Sequence, residues 1–206
     1  MALSRLLGTH SRSRVFQGVP GEPPGDAARG GEVIYASPPG FVHTSYQLLD
    51  SSTTSSYSVP PPQLWARHPE WFWPRDPKVY GQLCWHNASL QKHVIAQLRK
   101  YLLAQPNATI ASISQNDNQG YCQDEHELAI IKEEGTPGGA LFRAVNNIAD
   151  ALRDEFPAVA FDTLAYEWST APPKIMKPRP NVIIRVKKTR QSAGSRLCSL
   201  IVFIAD

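Results

Sequence analysis

With 206 residues, a net charge of +3 and basic residues scattered except at Lys187, Lys188 and Arg190, the chain has room for one domain with a core. It carries no broad basic face for nucleic acid. No apolar stretch approaches the roughly 18 residues of a membrane span, and three cysteines, Cys84, Cys122 and Cys198, are too few for a disulfide scaffold; a Cys84–Cys122 pair and three free thiols both stay open.

Residues 1–32 are expected to be a disordered, low-complexity segment, because VPGEPPGDAARGG concentrates Pro and Gly with almost nothing to bury. Arg5, Arg12 and Arg14 among serines, with no acid in residues 2–19, give a weak likeness to a transit peptide. The sequons Asn87-Ala88-Ser89 and Asn107-Ala108-Thr109 matter only in the secretory pathway, so the compartment stays open. Ordered chain is expected over 33–186, with an atypical tail at 187–206. SSTTSSYSVPPP at 51–62 reads as a surface loop over that scaffold.

Beyond the loop, Leu90, Val94, Leu98, Tyr101 and Leu102 recur at helical spacing behind a cap at Asn87 or Ser89, predicting a helix over 88–104. Residues 108–114 follow as a strand. A short helix starts at Asp124. Thr136 as cap and Pro137 at the first helical position open a longer one carrying Leu141, Val145, Ile148, Leu152 and Phe156 on one face. VAFDTLAY at 159–166 and NVIIRV at 181–186 are the next strands. This alternation predicts an α/β fold with a parallel sheet and its chemistry at the C-terminal strand ends, the alternative being a small open α/β sheet.

Both polar clusters fall at those ends. SISQNDNQGYC, residues 112–122, passes from strand into five consecutive hydrogen-bonding side chains, a composition suited to sugar hydroxyls; a solvated turn capping the next helix is the plainer reading. Asp117 among neutral amides and near Tyr121 is open to desolvation that favours the protonated acid, and Glu167 in EWST is the matching second carboxylate. A separation of roughly 5 Å would suit a retaining glycosidase and about 6.5–9.5 Å an inverting one; a capping or salt-bridged Glu167 is the alternative. His43, Gln115, Asn116, Asn118, Tyr166 and Trp168 are the expected substrate contacts, while Trp71, Phe72 and Trp73 are expected to pack. His68, between Arg67 and Pro69, reads as structural.

No cofactor and no metal are expected. Cys122, Asp124, His126 and Glu127 include one soft ligand, poor composition for structural zinc, and Gly135-Thr136-Pro137-Gly138-Gly139 lacks the P-loop lysine. Gly138 and Gly139 are instead expected to allow close packing where the helix begins.

The ordered series GFVHTSYQLL, HPEWF, QLCWHNASL, ISQNDNQGYC, GALFRAVNNIADAL and LAYEW resembles an uncharacterised domain-of-unknown-function family placed among glycoside-hydrolase-like TIM barrels. That family looks related to α-glucuronidases and β-hexosaminidases, and the resemblance spans about residues 40–186. It implies a (β/α) barrel whose fourth strand ends at Asn116-Asp117, where related hydrolases carry their acid. The family's C-x-C-x-x-C stands here as Cys122, Asp124 and Glu127, and the paired carboxylates of hexosaminidases stand here as Asn116-Asp117. Since a complete barrel typically takes about 250 residues, the resemblance implies a partial TIM-type barrel of strands three to six. The expected function is a piece of a glycoside hydrolase with carbohydrate as its partner, inactive and poorly stable as this chain because two parallel edges lie unpaired. The alternative is a non-catalytic carbohydrate-binding or interaction domain. A further possibility is that 187–206 folds back over one edge.

Overall fold

The structure, a computed structural model, describes residues 15–16, 33–50, 59–188 and 199–204. Apart from Val15–Phe16, the expected disordered segment lies outside the described residues. The strands in chain order are β1 (Val15–Phe16), β2 (Phe72–Trp73), β3 (Gln82–Leu83), β4 (Ile110–Ser112), β5 (Ala160–Ala165), β6 (Val182–Lys188) and β7 (Ser199–Ile204). The helices are α1 (Ser45–Leu49), α2 (Pro62–Arg67), α3 (Ala88–Ala104), α4 (Glu125–Glu134) and α5 (Gly139–Leu152).

Five strands form the main sheet in the order β1, β7, β6, β5, β4. Its centre is parallel: Ser112 lies opposite Asp162, and Asp162 opposite Ile183. The chain is therefore a mixed α/β domain with a parallel three-stranded sheet. All six residues of β5 are buried, the signature of a strand covered on both faces. Tyr35 adds a parallel bridge to Ile110 on the far side of β4.

The edges differ from those expected of a truncated barrel. β7 pairs antiparallel with β6 from Ile183–Ile204 to Lys188–Ser199, and β1 pairs antiparallel with β7. The possibility that the tail folds back is the one realised: β7 satisfies the backbone N–H and C=O groups that β6 would otherwise present as an open edge.

Local chemistry explains the helices. Asn87 Oδ1 accepts from Ser89 N at 2.9 Å and Leu90 N at 3.1 Å, capping α3 at the predicted position. Asp124 Oδ1 accepts from Glu127 N at 2.9 Å to start α4, which ends at Gly135 in the left-handed region, φ +71°. α5 begins at Gly139, two residues beyond Pro137, because Thr136–Gly138 form a turn in which Gly139 N donates to Thr136 O at 3.1 Å. That turn is pressed close: a β-carbon on Gly138 would sit 2.9 Å from Ser169 Cβ, and one on Gly139 2.6 Å from Glu134 Cβ.

α5 packs on β5 and β6 with α3 and α4 against its flanks. Leu90, Val94 and Leu98 of α3 and Leu141, Val145, Ile148 and Leu152 of α5 are all fully buried, each worth roughly 1.5–3 kcal/mol before conformational entropy is subtracted. Trp71 and Phe72 are buried as expected, with Trp73 half-buried beside them. On the other side of the sheet Arg185 Nε pairs with Asp162 Oδ2 at 2.7 Å while its Nη2 donates to Phe41 O at 2.6 Å. Among the described residues no helix is long and apolar enough to cross a membrane.

Candidate functional site

The chain leaving β4 stays buried through Asn116 before it reaches the surface. Ile113 N donates to Asp162 O at 2.8 Å, extending the pairing with β5 by one residue. Ser114 is locked to the His43 loop: its N donates to Thr44 Oγ1 at 3.0 Å and its carbonyl accepts from Ser45 Oγ at 2.8 Å. Gln115 Nε2 donates to Tyr166 O and Ser169 Oγ, both at 2.7 Å, tying the end of β4 to the end of β5. Asn116 Nδ2 donates to Gly81 O at 2.6 Å, and Gln82 returns the contact through Nε2 to Asn116 O at 2.8 Å.

Asn118 folds inward too, with Nδ2 3.3 Å from Tyr80 O and Oδ1 accepting from Gly120 N at 2.9 Å. Gln115 and Asn116 are fully buried, so these three amides serve as ties between loops. The residue they aim outward is Asp117.

Asp117 Oδ1 accepts from the Tyr166 hydroxyl at 3.0 Å and lies 3.8 Å from His43 Nε2. Its backbone N donates to Tyr80 Oη at 2.9 Å. His43 Nδ1 lies 2.9 Å from Gln115 O, and a carbonyl can only accept, so Nδ1 carries a hydrogen and Nε2 is the ring nitrogen turned toward Asp117. Glu167, the next residue after Tyr166, is the second carboxylate on the phenol. Gln119 Nε2 donates to Glu167 Oε2. Burial above all, then the hydrogen bond and charge of Asp117, then the same two influences of Glu167, push the Tyr166 phenol well above its usual range. It remains a proton donor at neutral pH.

Two of these residues pay in backbone conformation. His43 (φ +52°) and Glu167 (φ +54°) are the non-glycine residues with positive φ among the described residues. Such positions cost on the order of 1 kcal/mol each and cluster at sites where a side chain must be aimed. Trp168 is half-buried, its ring 6.0 Å from that of Tyr121 and its Nε1 buried without a hydrogen-bond partner.

Asp117, Glu167, His43 and Tyr166 thus converge, with Trp168 adjacent in sequence. Sequence reasoning passed over Tyr80, which steadies Asp117, and Gln119, which reaches Glu167. Tyr80 offers no signal, being one aromatic in a turn; Gln119 lies in the polar run and only the fold distinguishes it.

Cys84 and Cys122 form a disulfide that fastens the end of the β2–β3 hairpin to the loop after Asp117. Closing 38 residues of sequence separation contributes about 4 kcal/mol on the chain-entropy model. Beside it, His86 Nδ1 lies 2.8 Å from Glu127 Oε2 and 3.5 Å from Asp124 Oδ1. The Glu127 hydrogen bond raises the His86 pKa against the opposing effect of burial; burial raises that of Glu127.

These features define a mixed α/β domain with a carboxylate–phenol–imidazole cluster at the C-terminal ends of adjacent parallel strands. Residues 28–199 match the family described as Domain of unknown function (DUF4838), and the chain belongs to that family. No curated protein matches the chain. Among solved structures it is similar to the GH36 alpha-galactosidase AgaA from Geobacillus stearothermophilus in complex with raffinose, with a TM-score of 0.31 and 15% identity, over 50% of this chain and 15% of that one. The chain therefore spans a small part of that enzyme's length, and the fold assignment rests on strand order and register.

Proposed function

We propose that the site at the ends of β4 and β5 binds carbohydrate, and that in a complete active protein it belongs to a glycoside hydrolase. The observation carrying this reading is the convergence of Asp117 and Glu167 on the Tyr166 phenol. In it, Asp117 protonates the glycosidic oxygen and Glu167 acts as nucleophile, base or stabiliser of the developing positive charge. Tyr166 donates to whichever carboxylate is ionised, and His43 Nε2 exchanges a proton with Asp117. Trp168 and Tyr121 offer apolar faces to a pyranose ring. The architecture is read as part of a (β/α) barrel, supported by the parallel succession of Tyr35, β4, β5 and β6.

A second reading has its own support. Gln119 occupies Glu167 and Tyr166 occupies Asp117, an arrangement that also suits a carbohydrate-binding domain without turnover. Saturation-transfer NMR with a panel of neutral and uronic oligosaccharides, run beside chromogenic glycosides, separates them. Saturation transfer that is lost in Trp168→Ala supports the sugar site, and hydrolysis abolished by Asp117→Asn adds catalysis. No saturation transfer from any sugar would overturn both readings.

A further inference from the structure

The disulfide does not stand alone. Cys84, Cys122 and Asp124 present ligand atoms within 4.8 Å of one another, and so do His86, Cys122 and Glu127. Cys122 belongs to both sets and so joins Cys84 and Asp124 to His86 and Glu127. From sequence this neighbourhood held a single soft ligand; the fold supplies Cys84 and His86 from the far end of the β2–β3 hairpin.

We propose that, once the disulfide is reduced, this cluster binds a zinc-class divalent cation through Cys84 Sγ, Cys122 Sγ, His86 Nδ1 and Glu127 Oε2. Two thiolates, one imidazole and one carboxylate form a tetrahedral donor set suited to zinc. With bonds of about 2.0–2.3 Å, the ligand atoms of such a site lie roughly 3.3–3.8 Å apart. His86 Nδ1 and Glu127 Oε2 are already 2.8 Å apart, held by the proton between them, and would open by less than an ångström. Reduction frees both sulfurs to turn about their side-chain torsions, and that rotation brings Cys84 Sγ into the His86–Cys122–Glu127 set.

Asp124 is left out of the set because it is already committed. Its Oδ1 accepts from Glu127 N at 2.9 Å as the cap of α4, and Arg75 Nη2 lies 3.4 Å from Oδ2. It remains beside the cation as a second negative charge. His86 is held from a second direction as well, since its backbone N donates to Glu127 Oε2 at 3.0 Å. Cys122 and Glu127 are 1% and 2% exposed, so a cation here would be shielded from water on the side of both.

The chemistry balances with a dithiol as reductant. The S–S bond breaks, two electrons and two protons pass from the dithiol to the cysteines, and the dithiol becomes a cyclic disulfide. Cation binding then releases the two thiol protons and the proton shared by His86 and Glu127. The same residues would therefore form a covalent clasp under oxidising conditions and a metal clasp under reducing ones, each joining the hairpin to the loop that carries Asp117.

The test compares the full chain with its disulfide intact and after reduction, freed of reductant under anaerobic conditions. Cobalt(II) titration of the reduced chain should give one ion per chain with an intense near-ultraviolet thiolate charge-transfer band. The oxidised chain should bind at least 100-fold more weakly. Zinc(II) should slow alkylation of Cys84 and Cys122 at least tenfold while leaving Cys198 unchanged, a readout that needs no mutant to fold. Glu127→Gln should weaken cobalt binding while retaining the charge-transfer band. Equal cobalt affinity in both redox states, a reduced chain without the band, or alkylation indifferent to zinc would each overturn the proposal.

Discussion

Arg185 and Asp162 allow a quantitative test of how the sheet carries the site. Both are essentially solvent-free, at 2% and 0% exposure. In this ion pair Nε lies 2.7 Å from Oδ2, and Nη2 donates to Oδ1 at 3.2 Å. Neighbours add to it: Tyr35 Oη donates to Asp162 Oδ2 at 2.9 Å, and Arg185 Nη2 donates to Phe41 O at 2.6 Å and lies 3.3 Å from Ser112 Oγ. The guanidinium also lies 4.2 Å from the Phe41 ring centroid. Arg185→Met removes the cation and leaves a buried carboxylate with neutral donors, a loss of about 3–5 kcal/mol. For a domain of this size each kcal/mol moves Tm by roughly 2–4 °C, so the melt should fall by on the order of 6–20 °C. Asp162→Leu should cost a similar amount, but the double variant should recover most of it, because an apolar pair of matched volume carries no stranded charge. Urea unfolding followed by tryptophan fluorescence, with thermal melts by circular dichroism, measures all three. A single-variant loss under about 1 kcal/mol, or a double variant as unstable as both losses together, would refute the reasoning.

Further outcomes follow from individual contacts. Replacing Cys84 and Cys122 together by Ser should lower stability by about 4 kcal/mol in metal-free buffer, read by urea unfolding with a steeper slope, since the unfolded chain without the cross-link exposes more surface. Gly139→Ala should cost roughly 1–3 kcal/mol, because its β-carbon would meet Glu134 Cβ at 2.6 Å and that side chain is fully buried; an unchanged melt would contradict it. Burial opposes ionisation of Glu134, but hydrogen bonds from Met176 N, Ile175 N and Arg143 outweigh it and hold its pKa below the usual carboxylate value. Its stabilising contribution is thus present above the unfolded carboxylate range and lost as pH falls through the depressed folded value. Urea titrations between pH 2 and 6 should show a shallower acid loss in Glu134→Gln than in the parent chain.

Much of the scaffold was legible in the sequence because its signals are local. The five apolar positions of α3 and the Asn87 cap, the runs that became β4, β5 and β6, and the tight Gly138-Gly139 approach are written within windows of a few turns or one strand. Parallel alternation was enough to put Asp117 and Glu167 at neighbouring strand ends. The tertiary structure decided what faces what. Gln115, Asn116 and Asn118 turn inward since the Gly81 and Tyr166 carbonyls and the Gln82 side chain come to meet them from other parts of the chain. Tyr80 reaches Asp117, and Cys84 and His86 reach Cys122 and Glu127, across 37, 38 and 41 residues, separations over which composition and periodicity carry no pairing information. β7 runs antiparallel beside β6 for the same reason: an apolar strand reads alike in either direction, and only the register of backbone hydrogen bonds sets its sense.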